Sequence, residues 1–176
     1  MRKCAATLAI MAMLIPGVLR AAEPPCLTAR EFAAVSSYAM PAIIDGTVQR
    51  CGASLSPDSF LRRKGADLVQ RYAVLKPRAW PSAKPAILKL IGSNGGDVAN
   101  MLRTMPDTSL QPMADAFVSG AISQKLPLQR CGAANRVVEL LSPLPPESAA
   151  ELIALAAGLG ARSGQPRIGM ITICPA

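Results

Sequence analysis

The sequence predicts an all-α protein of about seven short helices, and three observations support this fold class. Apolar residues recur at spacings of three and four, which is the period of a helix buried along one side. Proline and glycine divide these segments into lengths of roughly 8 to 18 residues. A single β-branched segment, residues 168–174, would suit a strand, and no second segment offers to pair with it. We therefore expect helical hairpins in one compact domain, followed by an extended C-terminal tail held by Cys174.

Residues 1–22 have the order of a cleavable secretory signal peptide. Two basic residues precede an apolar run over residues 5–19, which is shorter than the roughly 20 residues that cross a bilayer as a helix. Small residues for a signal peptidase follow at Ala21 and Ala22. We therefore expect cleavage near residue 22, no stable membrane anchor afterwards, and one helical disulfide-containing domain over residues 23–176.

The charge and the composition narrow the compartment and the partners. Loss of residues 1–22 lowers the formal net charge from +8 to +5 and removes one of the five cysteines. The remaining basic residues cluster in sequence only at Arg62, Arg63 and Lys64, and no aromatic residue is interleaved with a basic run, so we do not expect a nucleic-acid partner. Abundant arginine, alanine and proline suggest a GC-rich bacterial genome. The predicted location is therefore the periplasm or the exterior of a bacterium.

The four cysteines of the mature chain predict two disulfides, because an even set in an oxidising compartment favours pairing. They are Cys26, Cys51, Cys131 and Cys174. Of the three possible pairings we favour Cys26 with Cys51 and Cys131 with Cys174, since each bridge then closes one end of the chain onto a nearby helix. Each would stabilise the fold by about 3 to 4 kcal/mol. A metal site is not expected, because the chain has no Cys-x-x-Cys motif and no histidine.

A short sequence repeat surrounds two of these cysteines. The pentapeptide of residues 49–53 recurs at residues 129–133, and each copy follows a segment that we expect to be helical. One interpretation is an ancient duplication of a helical hairpin with one bridge in each half. The other, which we favour slightly, is coincidence together with a shared need for glycine after a helix end.

The first helix is predicted to begin at a capping box formed by Thr28 and Glu31, to stop or kink at Pro41, and to resume as far as Arg50. A second start signal lies at residues 56–58, where serine, proline and aspartate follow one another.

An apolar stripe follows the second start signal at helical spacing. Its members are Leu61, Gly65, Leu68, Tyr72 and Leu75. Arg62, Arg63 and Lys64 then occupy the solvated face, where Asp67 and Arg71 form an i, i+4 pair.

The later segments are predicted from proline positions and apolar spacing. Pro77, Pro81 and Pro85 should bend the chain around Trp80 before a short helix that ends at the glycine-rich residues 92–96. That glycine-rich stretch lacks the Gly-Lys-Ser/Thr ending of a phosphate loop, and we expect no cofactor.

The clearest amphipathic helix is predicted over residues 110–122, after a short helix that begins at Asp97. Residues 137–141 form another short helix. Residues 146–159 are apolar almost all round and are predicted to form the central, buried helix. Met101, Met105 and Met113 are expected in the core, although they could instead line an adaptable apolar groove.

The absence of histidine excludes triad, zinc-hydrolase and imidazole acid–base mechanisms together, so we expect no enzyme. Carboxylates are the remaining candidates for chemistry, with Glu147 and Glu151 one helical turn apart and Glu139 upstream. Acids in the first turns of a helix more simply complement its dipole.

We expect a non-enzymatic envelope component that binds another envelope protein or has a structural role. Its candidate contacts are the run Arg62, Arg63 and Lys64, together with Trp80. Trp80 is either partly exposed, where it could anchor a partner, or folded back on the core. Two alternatives remain open: a carrier of a small apolar ligand between helices, and a cell-wall hydrolase that uses Glu147 or Glu139.

Overall fold

A computed structural model of the chain describes residues 26–92, 97–164, 167–168 and 171–174. This part contains seven α-helices, as predicted: α1 (Ala29–Cys51), α2 (Phe60–Ala73), α3 (Lys76–Gly92), α4 (Asp97–Thr104), α5 (Asp107–Lys125), α6 (Cys131–Leu141) and α7 (Pro146–Arg162). Three very short strands complete it: β1 (Cys26–Leu27), β2 (Arg167–Ile168) and β3 (Ile171–Ile173). The predicted signal peptide of residues 1–22 lies outside the described residues, as do residues 93–96 of the glycine-rich turn.

The central helix of the fold is α1, around which α2, α3, α5 and α7 all pack. More than half of its residues are buried, and their side chains point to several sides of the helix. The predicted capping box is present, because Thr28 Oγ1 accepts from the Glu31 N–H and the Glu31 carboxylate accepts from the Thr28 N–H. The helix runs through Pro41 without a break. Proline removes one backbone donor, and the helices packed around α1 hold its backbone in place.

Helix α2 begins later than predicted, at Phe60 instead of directly after residues 56–58. Ser59 occupies the N-cap position but makes no side-chain capping bond. The cap comes from elsewhere in the chain, since Oδ1 of Asn135 on α6 accepts the Leu61 N–H at 2.9 Å. A hydrogen bond supplied from 74 residues away leaves no signal in the local sequence.

The predicted apolar stripe of α2 is confirmed, and the predicted ion pair is not. All five stripe residues are buried. Asp67 pairs with Lys64 at 3.7 Å. Arg71 instead donates from Nη1 to the Ser142 carbonyl at 2.6 Å and so joins α2 to the C-terminal end of α6. That carbonyl has no partner within its own helix, which explains why it attracts the guanidinium.

Helix α3 is continuous where a bend was predicted. Pro77 lies in its first turn, where a missing N–H is harmless. Pro81 and Pro85 lie inside the helix and are exposed, four residues apart on the solvent side. The carbonyls that they leave unpaired belong to residues 77 and 81, which are also exposed, so water can satisfy them. The opposite side of α3 is buried through Ala83 and Ala86.

Helix α5 packs on α1 through small and polar residues instead of through the full apolar face predicted for residues 110–122. Leu110 is buried, whereas Met113 and Phe117 are exposed. At the contact, Ser119 Oγ donates to Asp45 Oδ2 at 2.8 Å, and Gln49 Nε2 donates to the same carboxylate oxygen at 2.7 Å. Because these polar side chains are hydrogen-bonded to one another, α5 can pack closely on α1 through them.

The disulfides pair differently from the favoured connectivity, which is wrong. Cys26 is bonded to Cys174 and Cys51 to Cys131, so all four cysteines are paired. The loops closed are long, with sequence separations of 148 and 80 residues, and the chain-entropy model gives about 4 to 5 kcal/mol for each. The first bridge joins the two ends of the described chain. The second joins the end of α1 to the start of α6.

The C-terminal tail is extended and held by Cys174, as predicted, but it has strand partners that the sequence did not suggest. Strand β3 pairs in parallel with β1 and antiparallel with β2. In this register Thr172 lies opposite Cys26. The parallel partner β1 comes from the other end of the sequence, and its two residues are too few to give a strand pattern.

The Cys51–Cys131 bridge joins the two copies of the repeated pentapeptide. The first copy ends α1, whereas the second begins α6. The shared need for glycine after a helix end is therefore wrong for the second copy, because Gly132 lies inside α6. The expectation of one bridge in each half is wrong too, since a single bridge connects the two copies.

Candidate protein-binding surface

Helix α7 buries a face made of small side chains. Ala149, Ala150, Ala154 and Ala157 are buried, and α7 packs against α1. Alanine at these positions lets two helices lie close together with little side-chain volume between them. Ile153 is a larger side chain that packs partly buried beside these alanines, whereas the leucines of α7 lie elsewhere on the helix. The prediction that α7 is the central, buried helix is wrong.

Three leucines of α7 point to solvent and form what we call the leucine stripe: Leu152, Leu155 and Leu159. Their exposed fractions are 48%, 61% and 56%. The spacing of three and then four residues places them along one line of the helix, opposite the alanine face. Single exposed leucines are common and need no explanation, whereas contiguous exposed apolar patches are typical of interaction surfaces.

A shallow groove runs beside the leucine stripe, between α7 and the first turn of α1. One part has a volume of about 170 Å³ and is lined by Ala29, Leu155 and Leu159 among others. It shares Ala29, Gly158 and Arg162 with a wider part of about 350 Å³ that reaches Arg30 and the Cys26–Cys174 region. The walls are mostly apolar, and Arg30 and Arg162 are the charged residues among those that line them.

A second exposed apolar area lies on α5, where Met113 and Phe117 are one turn apart and 41% and 64% exposed. Met101 on α4 is exposed too. The expectation that these methionines belong to the core is therefore wrong for Met101 and Met113, whereas Met105 packs partly buried against a core cluster. Aromatic and methionine side chains are favoured at protein interfaces.

Trp80 does not contribute to the surface, because it is only 5% exposed. Of the two positions considered for it, the one folded back on the core is observed. Its ring lies 4.9 Å from the ring of Tyr38 on α1, at an angle of 44°. Its role is therefore packing between α1 and α3, and it is no longer a candidate partner contact.

A polar cluster around Tyr38 and Trp80 ties α3 to its neighbours. The Lys76 ammonium is bonded to Asp115 on α5 and lies 4.9 Å from the centre of the Tyr38 ring. Burial raises the pKa of Tyr38, and the Asp115 carboxylate raises it further.

The second ion pair of this cluster joins Lys84 to Asp107 at 2.6 Å and lowers the pKa of Asp107. The Trp80 indole N–H makes no hydrogen bond of normal geometry, but it lies near enough to Asp107 to lower that pKa too. Each charged group in the two pairs is neutralised by its partner, which is typical of a structural role.

The basic run of α2 is exposed, as predicted. Two of its members have partners nearby: Arg62 donates to the Leu55 carbonyl at 3.2 Å, and Lys64 pairs with Asp67. The fold therefore gives Arg62, Arg63 and Lys64 a solvated helix face and separates them from the buried Trp80.

The three carboxylates considered for chemistry do not form a site together. Glu139 pairs with Arg136 at 3.1 Å on α6. Glu147 and Glu151 are exposed on α7, and neither lines the groove beside the leucine stripe. Within the described ranges, no group of three or more potential ligands could hold a metal ion.

Sequence reasoning missed the leucine stripe. Comparisons with known proteins add no assignment, since no family model, curated protein or solved structure matches the chain. None of the helices in the described part is long and apolar enough to span a membrane. Among the described residues, the leucine stripe is the longest aligned set of exposed large hydrophobic side chains on one helix.

Proposed function

We propose that the chain is an exported, non-enzymatic helical protein that binds another protein through the leucine stripe of α7. The observation that carries the proposal is the exposure of Leu152, Leu155 and Leu159 along one line of a helix whose opposite face is already buried. Apolar anchors at positions i, i+3 and i+7 are how a helix face recognises another helix or a groove.

The expected energetics favour binding over chance exposure. Burial of a leucine side chain stabilises by about 1.5 to 3 kcal/mol, so three half-exposed leucines on one line leave a substantial gain unrealised in the free chain. The alanine face fixes α7 against α1, so the surface is already ordered before a partner arrives. An interface formed on such a surface needs little rearrangement.

Two observations support the proposed compartment. Two disulfides indicate an oxidising environment. The signal-peptide pattern of residues 1–22 adds the more specific proposal of export to the periplasm or beyond. The proposed partner is therefore a protein of the bacterial envelope.

A photo-crosslinking residue in the exported protein tests this function. With the probe at position 155, we expect light-dependent products whose protein component is identified by mass spectrometry. A probe at position 63, in the exposed basic run, is the matched control and should give none of these products. Absence of any product specific to position 155, or the same products from position 63, would contradict the proposal.

A second candidate function, the carrier of an apolar ligand, is favoured by the groove beside the stripe. Its apolar walls, with Arg30 and Arg162 at the edge, suit an acyl chain with an anionic head group. Native mass spectrometry of the protein purified from cells without detergent tests it. A bound fatty acid that is lost on Arg162→Glu would support this candidate, and a ligand-free spectrum would dismiss it.

A further inference from the structure

We infer that the leucine stripe is covered by the same stripe of a second copy of this chain, with the two α7 helices antiparallel. This inference rests on the proposed function and names the partner. Its support comes from the spacing, the side-chain sizes and the charges along α7.

The spacing of the stripe continues beyond the three leucines. Ser148 lies four residues before Leu152, and Arg162 lies three residues after Leu159, so one line of alternating threes and fours extends along most of α7. Alternating spacings of three and four are those of the seam of a helix pair, and the three central positions of this line are apolar.

Small residues beside the seam allow a second helix to approach. Ala156 is exposed next to Leu155, and a Cβ atom built at Gly158 would have no heavy atom within 4 Å. The side of α7 that faces the groove therefore leaves room for a second helix beside the leucine stripe. Helix pairs with small flanking residues reach short distances between their axes.

The charges along α7 select the antiparallel arrangement. Glu147 and Glu151 lie in its N-terminal half and Arg162 in its last turn, and all three are exposed. A parallel pair would place like charges side by side. In an antiparallel pair that layers Leu155 on the second copy's Leu159, the second copy's Arg162 is level with Leu152 and next to Glu151. The antiparallel pair also opposes the two helix dipoles favourably.

Such a pair is a closed two-fold dimer, since each copy presents and receives the same surface. One helix on each side buries less than the about 1,200 Å² of a standard stable interface. We therefore expect a weak, reversible monomer–dimer equilibrium, which is typical of interfaces below that size.

Sedimentation velocity of the mature, disulfide-bonded protein tests the inference. We expect a monomer–dimer equilibrium that Leu155→Arg weakens at least tenfold, because it puts a charge into the centre of the seam. Val74→Arg is the control, since Val74 is a 68% exposed apolar residue outside α7, and it should leave the equilibrium unchanged. Thermal unfolding followed by circular dichroism establishes that both variants are folded.

Charge reversal then tests the orientation. Glu151→Arg and Arg162→Glu should each weaken the dimer about fivefold, and the double variant should restore it. A double variant as weak as the single variants would overturn the antiparallel arrangement. A protein that stays monomeric, or a dimer unaffected by Leu155→Arg, would overturn the inference as a whole. The proposed function would still stand if the probe at position 155 then captured a different, identified envelope protein, and it would fall if the probe captured none.

Discussion

Asn135 caps a helix to which it does not belong: its Oδ1 atom accepts the backbone N–H of Leu61 at 2.9 Å, at the start of α2. The bond lies close to where α1 ends and α6 begins, at the Cys51–Cys131 bridge. Three helix ends are thus fixed relative to one another by one disulfide and one side-chain cap. The packing of α6 against α2 depends on both the disulfide and the cap.

Removal of this cap should destabilise the protein. We expect Asn135→Ala to lower the free energy of unfolding by about 1 kcal/mol, because the Leu61 N–H loses its acceptor. Asn135→Asp should cost less, since a carboxylate still accepts and complements the helix dipole. Denaturant unfolding measures both, with Asn100→Ala on α4 as the control. Equal effects at positions 100 and 135 would show that the cap has no special role.

The contact between α1 and α5 should not tolerate a methyl group at Gly46. A Cβ atom there would lie 2.5 Å from the Ser119 carbonyl oxygen, which is backbone and cannot move aside alone. We expect Gly46→Ala to cost about 1 to 3 kcal/mol in denaturant unfolding. Gly120 is the matched control on α5, because a Cβ atom there meets nothing within 4 Å. Gly120→Ala should be neutral or stabilise by up to about 1 kcal/mol, and a loss there as large as at Gly46 would contradict this account.

The two tyrosines of the chain should remain protonated in the folded protein well above pH 10. Burial is the main cause that raises the pKa of both Tyr38 and Tyr72. A raised pKa in the folded state means that the stabilising effect is complete below the ordinary value of 10.0 and is lost as the pH rises above it. Tyrosinate absorbance should therefore appear together with unfolding, and Tyr72→Phe should shift that transition to higher pH. Ordinary titration of both tyrosines near pH 10 in folded protein would contradict this prediction.

The two disulfides should be reduced in order. Cys51 and Cys131 are buried, whereas Cys26 and Cys174 are partly exposed. Because a thiolate must reach a sulfur atom to attack it, limiting reductant should open Cys26–Cys174 first. Alkylation followed by peptide mapping identifies the free thiols, and helix content should persist after the first step. Modification of Cys51 and Cys131 before the other pair would contradict the prediction.

Much of the fold could be predicted from the sequence, because most of its signals are local. The capping box at Thr28, the apolar stripe from Leu61 to Leu75 and the proline and glycine boundaries act within one or two helical turns. The seven helices follow from them, and the even number of cysteines predicts the two disulfides. The bend predicted at the prolines of α3 is absent because Pro81 and Pro85 leave their unpaired carbonyls to water, which the sequence does not show.

The pairing of the cysteines and the surface could not be predicted in the same way. Cys51 meets Cys131 because α6 packs beside the end of α1, which is a tertiary relationship. Helix α7 has apolar residues on both sides, and only the structure shows that its alanines face α1 and its leucines face solvent. Alanines occupy most of the buried side because they allow a closer helix contact, and Ile153 packs beside them. Hydrophobicity alone would place the larger leucine side chains on the buried side.

The outward orientation of α7 is the central claim, and the stability of a triple variant tests it most directly. In Leu152→Gln/Leu155→Gln/Leu159→Gln, helix propensity is nearly unchanged, and the leucine stripe is lost. At about 1 µM protein, we predict a free energy of unfolding no more than about 3 kcal/mol below that of the wild type, because about half of each leucine side chain is already exposed. Leu68→Gln, at a 2% exposed position, should lose about 3 to 5 kcal/mol and calibrates the measurement. A loss greater than about 5 kcal/mol in the triple variant would show that the three leucines are buried, and would contradict the account.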